Sequence, residues 1–448
     1  MRKLGKLNKE GNAMYDLGII GGQLYIDGQY INENLYITDG KIEKITGDIL
    51  DCKESYRADN KKVFPGFIDP HVHFELNVGN YTSCDDFYTG SVSAAYGGIT
   101  TFIDFLDPIN NADELEASFN KRKALAEKSV IDYSFHVTIS NPVNQIKSIV
   151  DEMKRLHLPT VKLFTTYSES DRRTYDNEII ELLRMTKEND ILVLAHIEND
   201  DMIDLDENNK VADLPISRSS DAELKEALKL ARYTKEYDGR LYMVHLSSGN
   251  TLKALLENHK DILNRDFLIE SCPHYFNLTS EEYHKEDDYL YTMAPPLRSK
   301  RELELLRENF AYINTIGTDN CPFMKEEKNK STLIEIPMGI GSIEHSFNIM
   351  YSIFKDSVID KMTINPAKIH GLYPKKGVLS EGSDADIVIY NPLAEYTIGD
   401  DHSACNYNVY EGKKINGRIE STISRGKFII KNNKFMRGHG QYITRSMT

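Results

Sequence analysis

The middle of the chain alternates short apolar runs with longer segments that have an amphipathic, helix-forming pattern. Eight such runs cover residues 63–68, 98–105, 131–139, 160–167, 191–199, 240–248, 266–275 and 313–323. Hydrophobic strands that alternate with helices are typical of a parallel sheet covered on both faces. Eight units predict an α/β fold of the (β/α)8 TIM-barrel type. A doubly wound open sheet is the competing architecture, but no G-x-G-x-x-G motif follows the first run.

The two ends of the chain have a different pattern. Residues 15–62 and the segment after residue 376 contain short strand patterns separated by glycine turns. We therefore predict a small β-sandwich domain built from both termini. The predicted divisions are 1–62 for its first part, 63–375 for the barrel, and 376–448 for its second part and the tail. Residues 1–13 are interpreted as a frayed extension or the product of an upstream start.

Side chains that could bind a metal lie at or near the ends of several runs. In a barrel of this type, the chemistry takes place at the carboxyl ends of the strands. The candidates are His71, His73, His196, His245 and Asp319. Residues i and i+2 of a strand point to the same face, so His71 and His73 can reach one ion. A lone strand-end histidine is usually a core or rim residue, but this set together favours a divalent ion such as zinc.

Lys162 lies in the fourth run and is not an ordinary metal ligand. Burying its ammonium group would be costly. The side chain either extends to the rim of the barrel or has reacted with carbon dioxide to form a carbamate. A carbamate is an anionic ligand with two oxygens that can bridge two cations, so the second interpretation predicts a two-metal site.

Together with several longer stretches, these residues resemble the dihydropyrimidinase and hydantoinase family of cyclic amidases, in the binuclear branch of the amidohydrolase superfamily. The matching stretches are distributed over almost the whole chain. They include "FPGFIDPHVHFEL", "VKLFTTY", "AHIEND", "VHLSSG", "ESCPHYF", "GTDNCPF", "IPMGIGSIE" and "NYNVYEG". The resemblance implies a hydrolase that opens a dihydropyrimidine or hydantoin ring to an N-carbamoyl amino acid.

The resemblance also implies how the metals are held. One divalent ion, zinc by default, would be bound by His71, His73 and Asp319, and the other by His196 and His245. Lys162, carboxylated on Nζ, would bridge them together with a hydroxide. Asp319 would act as general base and then general acid, and Tyr167 would polarise the substrate carbonyl. Backbone groups at Ala294 and Met338 would bind the ring, where the family has Ser-Pro-Pro and Pro-Asn-Gly segments.

Three other functions were weighed against this one. The stretches "CPHY" and "APPLR" are similar to allantoinases, a sister family. Dihydroorotate is disfavoured because no arginine follows His73 closely. A non-catalytic assembly protein of the same fold is disfavoured because all six metal-binding positions are filled. Among nearby residues, Glu270 and Cys272 are interpreted as supporting or core residues and Cys321 as a packing residue.

Composition limits the partners of the protein. The formal net charge of −15 argues against nucleic acid, and no apolar run is long enough to span a bilayer. The five cysteines are scattered and form no C-x-x-C pair, as expected of a reduced cytoplasmic protein. We expect a small-molecule substrate and no membrane partner, and the resemblance implies a homotetramer.

Overall fold

The computed structural model describes residues 14–341 and 343–446. The predicted interpretation of residues 1–13 lies outside this part of the chain. The strands are β1 (Tyr15–Ile20), β2 (Gln23–Ile26), β3 (Gln29–Ile31), β4 (Asn34–Thr38), β5 (Lys41–Thr46), β6 (Cys52–Arg57), β7 (Lys62–Pro65), β8 (Phe67–Val72), β9 (Asn77–Val78), β10 (Tyr81–Thr82), β11 (Ile99–Phe105), β12 (Asp132–Thr138), β13 (Thr160–Phe164), β14 (Leu192–His196), β15 (Leu241–Met243), β16 (Phe267–Ser271), β17 (Thr315–Ile316), β18 (Ile387–Thr397), β19 (Lys414–Ser424), β20 (Lys427–Lys431) and β21 (Lys434–Phe435).

Helices connect most of the central strands. They are α1 (Phe87–Tyr96), α2 (Leu115–Leu125), α3 (Ile146–Arg155), α4 (Asp176–Asn189), α5 (Leu214–Ser217), α6 (Ser220–Glu236), α7 (Gly249–His259), α8 (Lys300–Glu308), α9 (Lys325–Lys328), α10 (Ser346–Phe354), α11 (Ile359–Met362) and α12 (Ile364–Ile369). Helix α3 shows why they pack on the sheet: its buried residues Ile146, Ile149, Val150 and Met153 follow the i, i+3, i+4, i+7 spacing of one helical face. None of the helices in the described residues is long and apolar enough to cross a membrane.

The central sheet contains eight parallel strands in the order β17-β16-β15-β14-β13-β12-β11-β8. The two outer strands of this order meet just beyond their carboxyl ends. There the Asp319 N–H donates to the His71 carbonyl and the His73 N–H donates to the Asn320 carbonyl, both at 2.9 Å. The sheet is therefore nearly closed, and the predicted barrel is confirmed.

Strands from both ends of the chain form the second domain, as predicted. One sheet has the order β5-β4-β1-β6, and the other the order β21-β20-β19-β18-β7-β2-β3. In the second sheet β7 pairs with β18, so the amino- and carboxyl-terminal parts are hydrogen-bonded to each other. Buried Leu17 and Ile37 of the first sheet share one hydrophobic core with Ile387 and Ile423 of the second. The boundaries at residues 62/63 and 375/376 stay predictions.

The prediction of the first barrel strand was wrong in its position. The run 63–68 is divided between two sheets: β7 belongs to the terminal sheet, and the barrel strand β8 begins at Phe67. Gly66 separates them. A Cβ atom there would collide with the side chain of Thr100, and the Gly66 N–H donates to the Asp386 carbonyl at 2.8 Å. The apolar pattern continues through this break because both strands are buried, so periodicity alone does not reveal it.

The tail of the chain returns to the barrel at the end opposite to the carboxyl ends of its strands. Ile443 donates its N–H to the Tyr133 carbonyl at 2.7 Å. The buried guanidinium group of Arg445 donates to Ser134 Oγ and Thr160 Oγ1, both at 2.8 Å, and to the His370 carbonyl at 3.2 Å. Since Thr160 begins β13, the tail covers the amino-terminal end of the barrel.

We predict that Arg445→Met destabilises the protein, because it leaves several buried hydrogen-bond acceptors without a donor. The expected loss is about 2 kcal/mol in the free energy of unfolding, measured by urea denaturation. Arg437→Met is the matched control, since Arg437 is an exposed arginine of the same segment. Equal stability of the two variants would contradict an anchoring role for Arg445.

Candidate active site

A cavity of about 430 Å³ opens at the carboxyl ends of the barrel strands. All nine residues that the sequence nominated for the site line it. They are His71, His73, Lys162, Tyr167, His196, His245, Ala294, Asp319 and Met338. They come from segments separated by up to 267 residues, and the barrel brings them to one end of the sheet.

Three of these side chains converge on one point. His71 Nε2 and His73 Nε2 are 3.2 Å apart, and Asp319 Oδ1 lies 3.1 Å from each. Burial opposes ionisation of Asp319, but the two histidines hold its pKa well below the usual value. For His71 burial lowers the pKa, yet the nearby Glu270 and Asp319 charges raise it to about 9. A proton and a cation would therefore compete for His71 Nε2.

His196 and His245 form a second group. Nδ1 of His196 lies 3.1 Å from Nε2 of His245. The other ring nitrogen of His196, Nε2, lies 2.6 Å from Glu198 Oε2. Burial lowers the pKa of His196 to about 4, so the imidazole is neutral at pH 7. Burial also opposes ionisation of Glu198, but the charge of Arg218 and the contact with His196 lower its pKa to about 2. An ionised Glu198 thus accepts from Nε2–H and leaves a lone pair on Nδ1.

The same arrangement occurs at His71. Nδ1 of His71 lies 2.7 Å from Glu270 Oε1. The same oxygen also accepts a hydrogen bond from the backbone N–H of His245 at 3.0 Å. Tyr242 donates to the other oxygen of Glu270 at 2.8 Å. Metal-binding histidines typically give their second ring N–H to a carboxylate in this way. With nitrogen and oxygen donors facing one another, the residues present fit divalent ions.

Lys162 lies in the floor of the cavity on β13 and is only 2% exposed. Its Nζ is 4.7 Å from the centre of the Phe164 ring and 5.5 Å from that of Phe105. Burial lowers its pKa to about 8, although the Asp319 and Glu270 charges oppose this. The lowered pKa increases the fraction of free amine, which is the form that reacts with carbon dioxide.

Tyr167 follows β13 in the left-handed backbone region, with φ of 72°. Burial raises its pKa to about 12, so the phenol remains a hydrogen-bond donor at pH 7. Its ring centre lies 5.3 Å from that of His196, and the Arg218 guanidinium lies 5.0 Å from the Tyr167 ring centre. The phenol is therefore held beside the second histidine group.

Two segments at the rim carry Ala294 and Met338, and they are tied together. The Gly339 N–H donates to the Thr292 carbonyl at 3.0 Å. The buried Lys328 ammonium donates to the carbonyls of Thr292 at 2.8 Å and Gly339 at 2.5 Å. These contacts give the backbone a defined shape on this side of the cavity. Sequence reasoning did not identify Lys328.

Sequence reasoning also did not single out Glu198, Arg218 and His274. His274 lines the cavity and is buried, and neither of its ring nitrogens has a partner in the part of the chain that the structure describes. Burial lowers its pKa to about 4. The sequence offered one signal for His274, which lies at the end of the seventh apolar run. It offered no signal for the Glu198–Arg218 ion pair, because the two residues belong to separate elements.

Glu270 and Cys321 have the supporting and packing positions that the sequence indicated, and Arg298 is an additional supporting residue. Glu270 contacts His71 and His245 rather than the cavity. Arg298 donates to Ser247 Oγ at 3.0 Å and to the Arg218 carbonyl, so it positions other protein groups. Burial raises the pKa of the Cys321 thiol, which keeps it protonated and agrees with a packing role.

Comparison with known proteins gives a consistent result. Residues 63–429 match the family model described as "Amidohydrolase family". The chain is 31% identical to the D-hydantoinase of Geobacillus stearothermophilus over 445 residues, which cover 92% of this chain and 93% of that protein. It is 31% identical to a D-phenylhydantoinase of Escherichia coli O81 (strain ED1a), with 94% and 95% covered.

Solved structures agree with the sequence comparison. The crystal structure of dihydropyrimidinase from Brevibacillus agri NCHU1002 superposes with a TM-score of 0.90 and 27% identity, and the match covers 97% of this chain and 99% of that one. A crystal structure of D-hydantoinase gives the same TM-score of 0.90 at 29% identity, also covering 97% and 99%. The chain therefore belongs to the amidohydrolase family, in the group that contains the hydantoinases and dihydropyrimidinases, and is a hydrolase.

Proposed function

We propose that this protein hydrolyses a cyclic ureide, a hydantoin or a dihydropyrimidine, to the corresponding N-carbamoyl amino acid. The observation that carries the proposal is the convergence of four histidines, one aspartate and one buried lysine in a single cavity. The hydantoinase and dihydropyrimidinase relatives support the choice of ring. The same residues argue against a non-catalytic assembly role, which requires no such set.

The proposed cofactor is a pair of divalent ions, with zinc as the expected metal. His71, His73 and Asp319 would hold one ion, His196 and His245 the other, and carboxylated Lys162 would bridge them. When bound, such ions polarise a carbonyl and lower the pKa of water, which supplies a nucleophile at neutral pH. The converging donor atoms and the amine of Lys162, made more reactive by its lowered pKa, support this assignment.

Asp319 and Tyr167 would carry out the remaining chemistry. The ionised Asp319 carboxylate accepts the proton of the attacking water and passes it to the leaving ring nitrogen. The neutral Tyr167 phenol donates a hydrogen bond to the substrate oxygen on which negative charge develops. Backbone groups at Ala294 and Met338 would hold the amide edge of the ring. A homotetramer and a cytoplasmic location remain predictions.

We expect about two divalent ions per chain by mass spectrometry after expression with zinc and bicarbonate. We also expect the protein to open hydantoin or dihydrouracil, which is monitored by the loss of the ring's ultraviolet absorbance. Removal of the metal with a chelator should abolish turnover, and added zinc should restore it. Turnover of allantoin alone would contradict the choice of ring, and turnover without bound metal would contradict the proposed cofactor.

Asp319→Asn should reduce kcat by at least about 100-fold, because the amide cannot accept the proton. Its metal content has to be measured in the same preparation, so that metal loss is separated from lost proton transfer. Asp151→Asn is the control, because the Asp151 side chain is 59% exposed and does not line this cavity. A metal-loaded Asp319→Asn enzyme with near wild-type kcat would refute the acid–base role.

Lys162→Ala should lose bound metal and nearly all activity, since the bridging ligand is removed. Formate or acetate, which can supply a carboxylate in the vacated space, should restore part of both. Lys147→Ala is the control, because the Lys147 side chain is 76% exposed. If Lys162→Ala kept two tightly bound ions without added carboxylate, the bridging role would be wrong.

A further inference from the structure

A second cavity of about 270 Å³ adjoins the candidate active site, and we call it the annex. The two cavities share five lining residues. They are His73, Leu76, Lys162, Phe164 and Arg172. The annex therefore begins beside the reacting centre and extends between the carboxyl ends of β8, β11, β12 and β13. A ring bound at the proposed metal site would lie next to the annex.

The walls of the annex are mainly apolar, and one arginine stands at its junction with the active site. Phe105, Leu106 and Pro108 supply apolar surface. Two lysines also line the annex: Lys121 is neutralised by Asp107 at 2.6 Å, and Lys162 belongs to the proposed metal site. Arg172 is half-buried, and its guanidinium has no ion pair or hydrogen bond with any residue in 14–341 or 343–446.

Two nearby arginines differ from Arg172 because each has a carboxylate partner. Arg173 is paired with Asp200 at 3.1 Å, and Arg218 is paired with Glu198. A cation that is partly removed from water without a counter-ion has lost hydration and gained no protein contact. An anion that enters the annex would supply that contact. The overall charge of −15 makes a cation without a counter-ion in the described part of the chain the more notable at this place.

An independent observation points to the same kind of ligand. Thr138 ends β12 and lines the annex; it is 4% exposed, and its Oγ1 has no hydrogen-bond partner among the described residues. The loops that carry Thr138 and Arg172 are tied together, because Ser140 Oγ donates to the Asp171 carbonyl at 2.8 Å and Asn141 Nδ2 donates to Asp171 Oδ1 at 2.6 Å. A buried hydroxyl donor and a guanidinium are suited to the oxygens of a carboxylate.

We propose that the annex receives a ring substituent that ends in a carboxylate, which Arg172 and Thr138 bind. The preferred substrates are then cyclic ureides with a short acidic side chain, and the products are N-carbamoyl derivatives of acidic amino acids. The volume of about 270 Å³ is ample for a short side chain such as carboxymethyl. This inference rests on the proposed ring-opening function and deepens it.

The test compares 5-carboxymethylhydantoin with its neutral isostere, 5-carbamoylmethylhydantoin, on the zinc-loaded enzyme. The ratio of kcat/KM for the acid over the amide should favour the acid in the wild type and fall by at least about tenfold in Arg172→Gln, mostly through KM. Arg172→Glu should reverse the preference. Arg173→Gln, which removes the neighbouring but already paired charge, should keep the wild-type ratio.

Thr138→Val tests the hydroxyl separately. It should lower the same ratio by a few fold, and its metal content should equal that of the wild type. A lower metal content with an unchanged ratio would mean that Thr138 supports Lys162 instead, which would remove it from the proposal.

A binding measurement separates this inference from the proposed function. Calorimetry with the ring-opened products should give tighter binding of N-carbamoylaspartate than of N-carbamoylasparagine, and Arg172→Gln should remove the difference. If the enzyme opens hydantoins but shows no preference between acid and amide, the annex proposal is refuted while ring opening stands. If no ring is opened but the preference for the acidic product depends on Arg172, the annex proposal stands and the ring-opening function is refuted.

Discussion

The contact between the first and last barrel strands is the constraint on which the rest of the site depends. The Asp319 N–H donates to the His71 carbonyl, and the His73 N–H donates to the Asn320 carbonyl. These two hydrogen bonds close the sheet and also bring Asp319 Oδ1 within 3.1 Å of both imidazoles. The same backbone contact therefore completes the barrel and assembles the first group of metal-binding side chains.

Charged residues around the cavity hold the metal-binding side chains in position. Polar groups that are removed from water are costly unless they have defined partners. Glu270 holds Nδ1 of His71, and Glu198 holds Nε2 of His196, so in each ring the other nitrogen faces the cavity. Arg218 keeps Glu198 ionised and also lies against Tyr167. The geometry of the site is thus set by Glu198 and Glu270, which do not line the cavity, together with Arg218, which does.

At the amino-terminal end of the barrel, the contacts are structural. There Arg445 and the buried Lys376 join the tail and the terminal domain to the first residues of the strands, and Lys376 Nζ lies 2.6 Å from Asp132 and 2.7 Å from Asp386. These ion pairs contribute to the stability of the barrel without contact with the cavity. The two ends of a strand are separated by its length. Substitutions in the annex or around the histidines of the cavity can therefore change substrate preference without disturbing the contacts of Arg445 and Lys376.

The sequence alone determined the barrel and the terminal sheet domain, since strand periodicity is a local property of the chain. Strand-end position, also local, nominated His71, His73, His196, His245 and Asp319, whereas Tyr167, Ala294 and Met338 were nominated only by the family resemblance. The sequence did not locate the break at Gly66, because buried strands on either side have the same apolar pattern. Only the tertiary structure decided which nitrogen of His71 and His196 faces the cavity, since Glu270 and Glu198 reach them through long-range contacts. It also distinguished two arginines that are adjacent in sequence. Arg173 is paired with Asp200, whereas Arg172 faces the annex and has no counter-ion among the described residues.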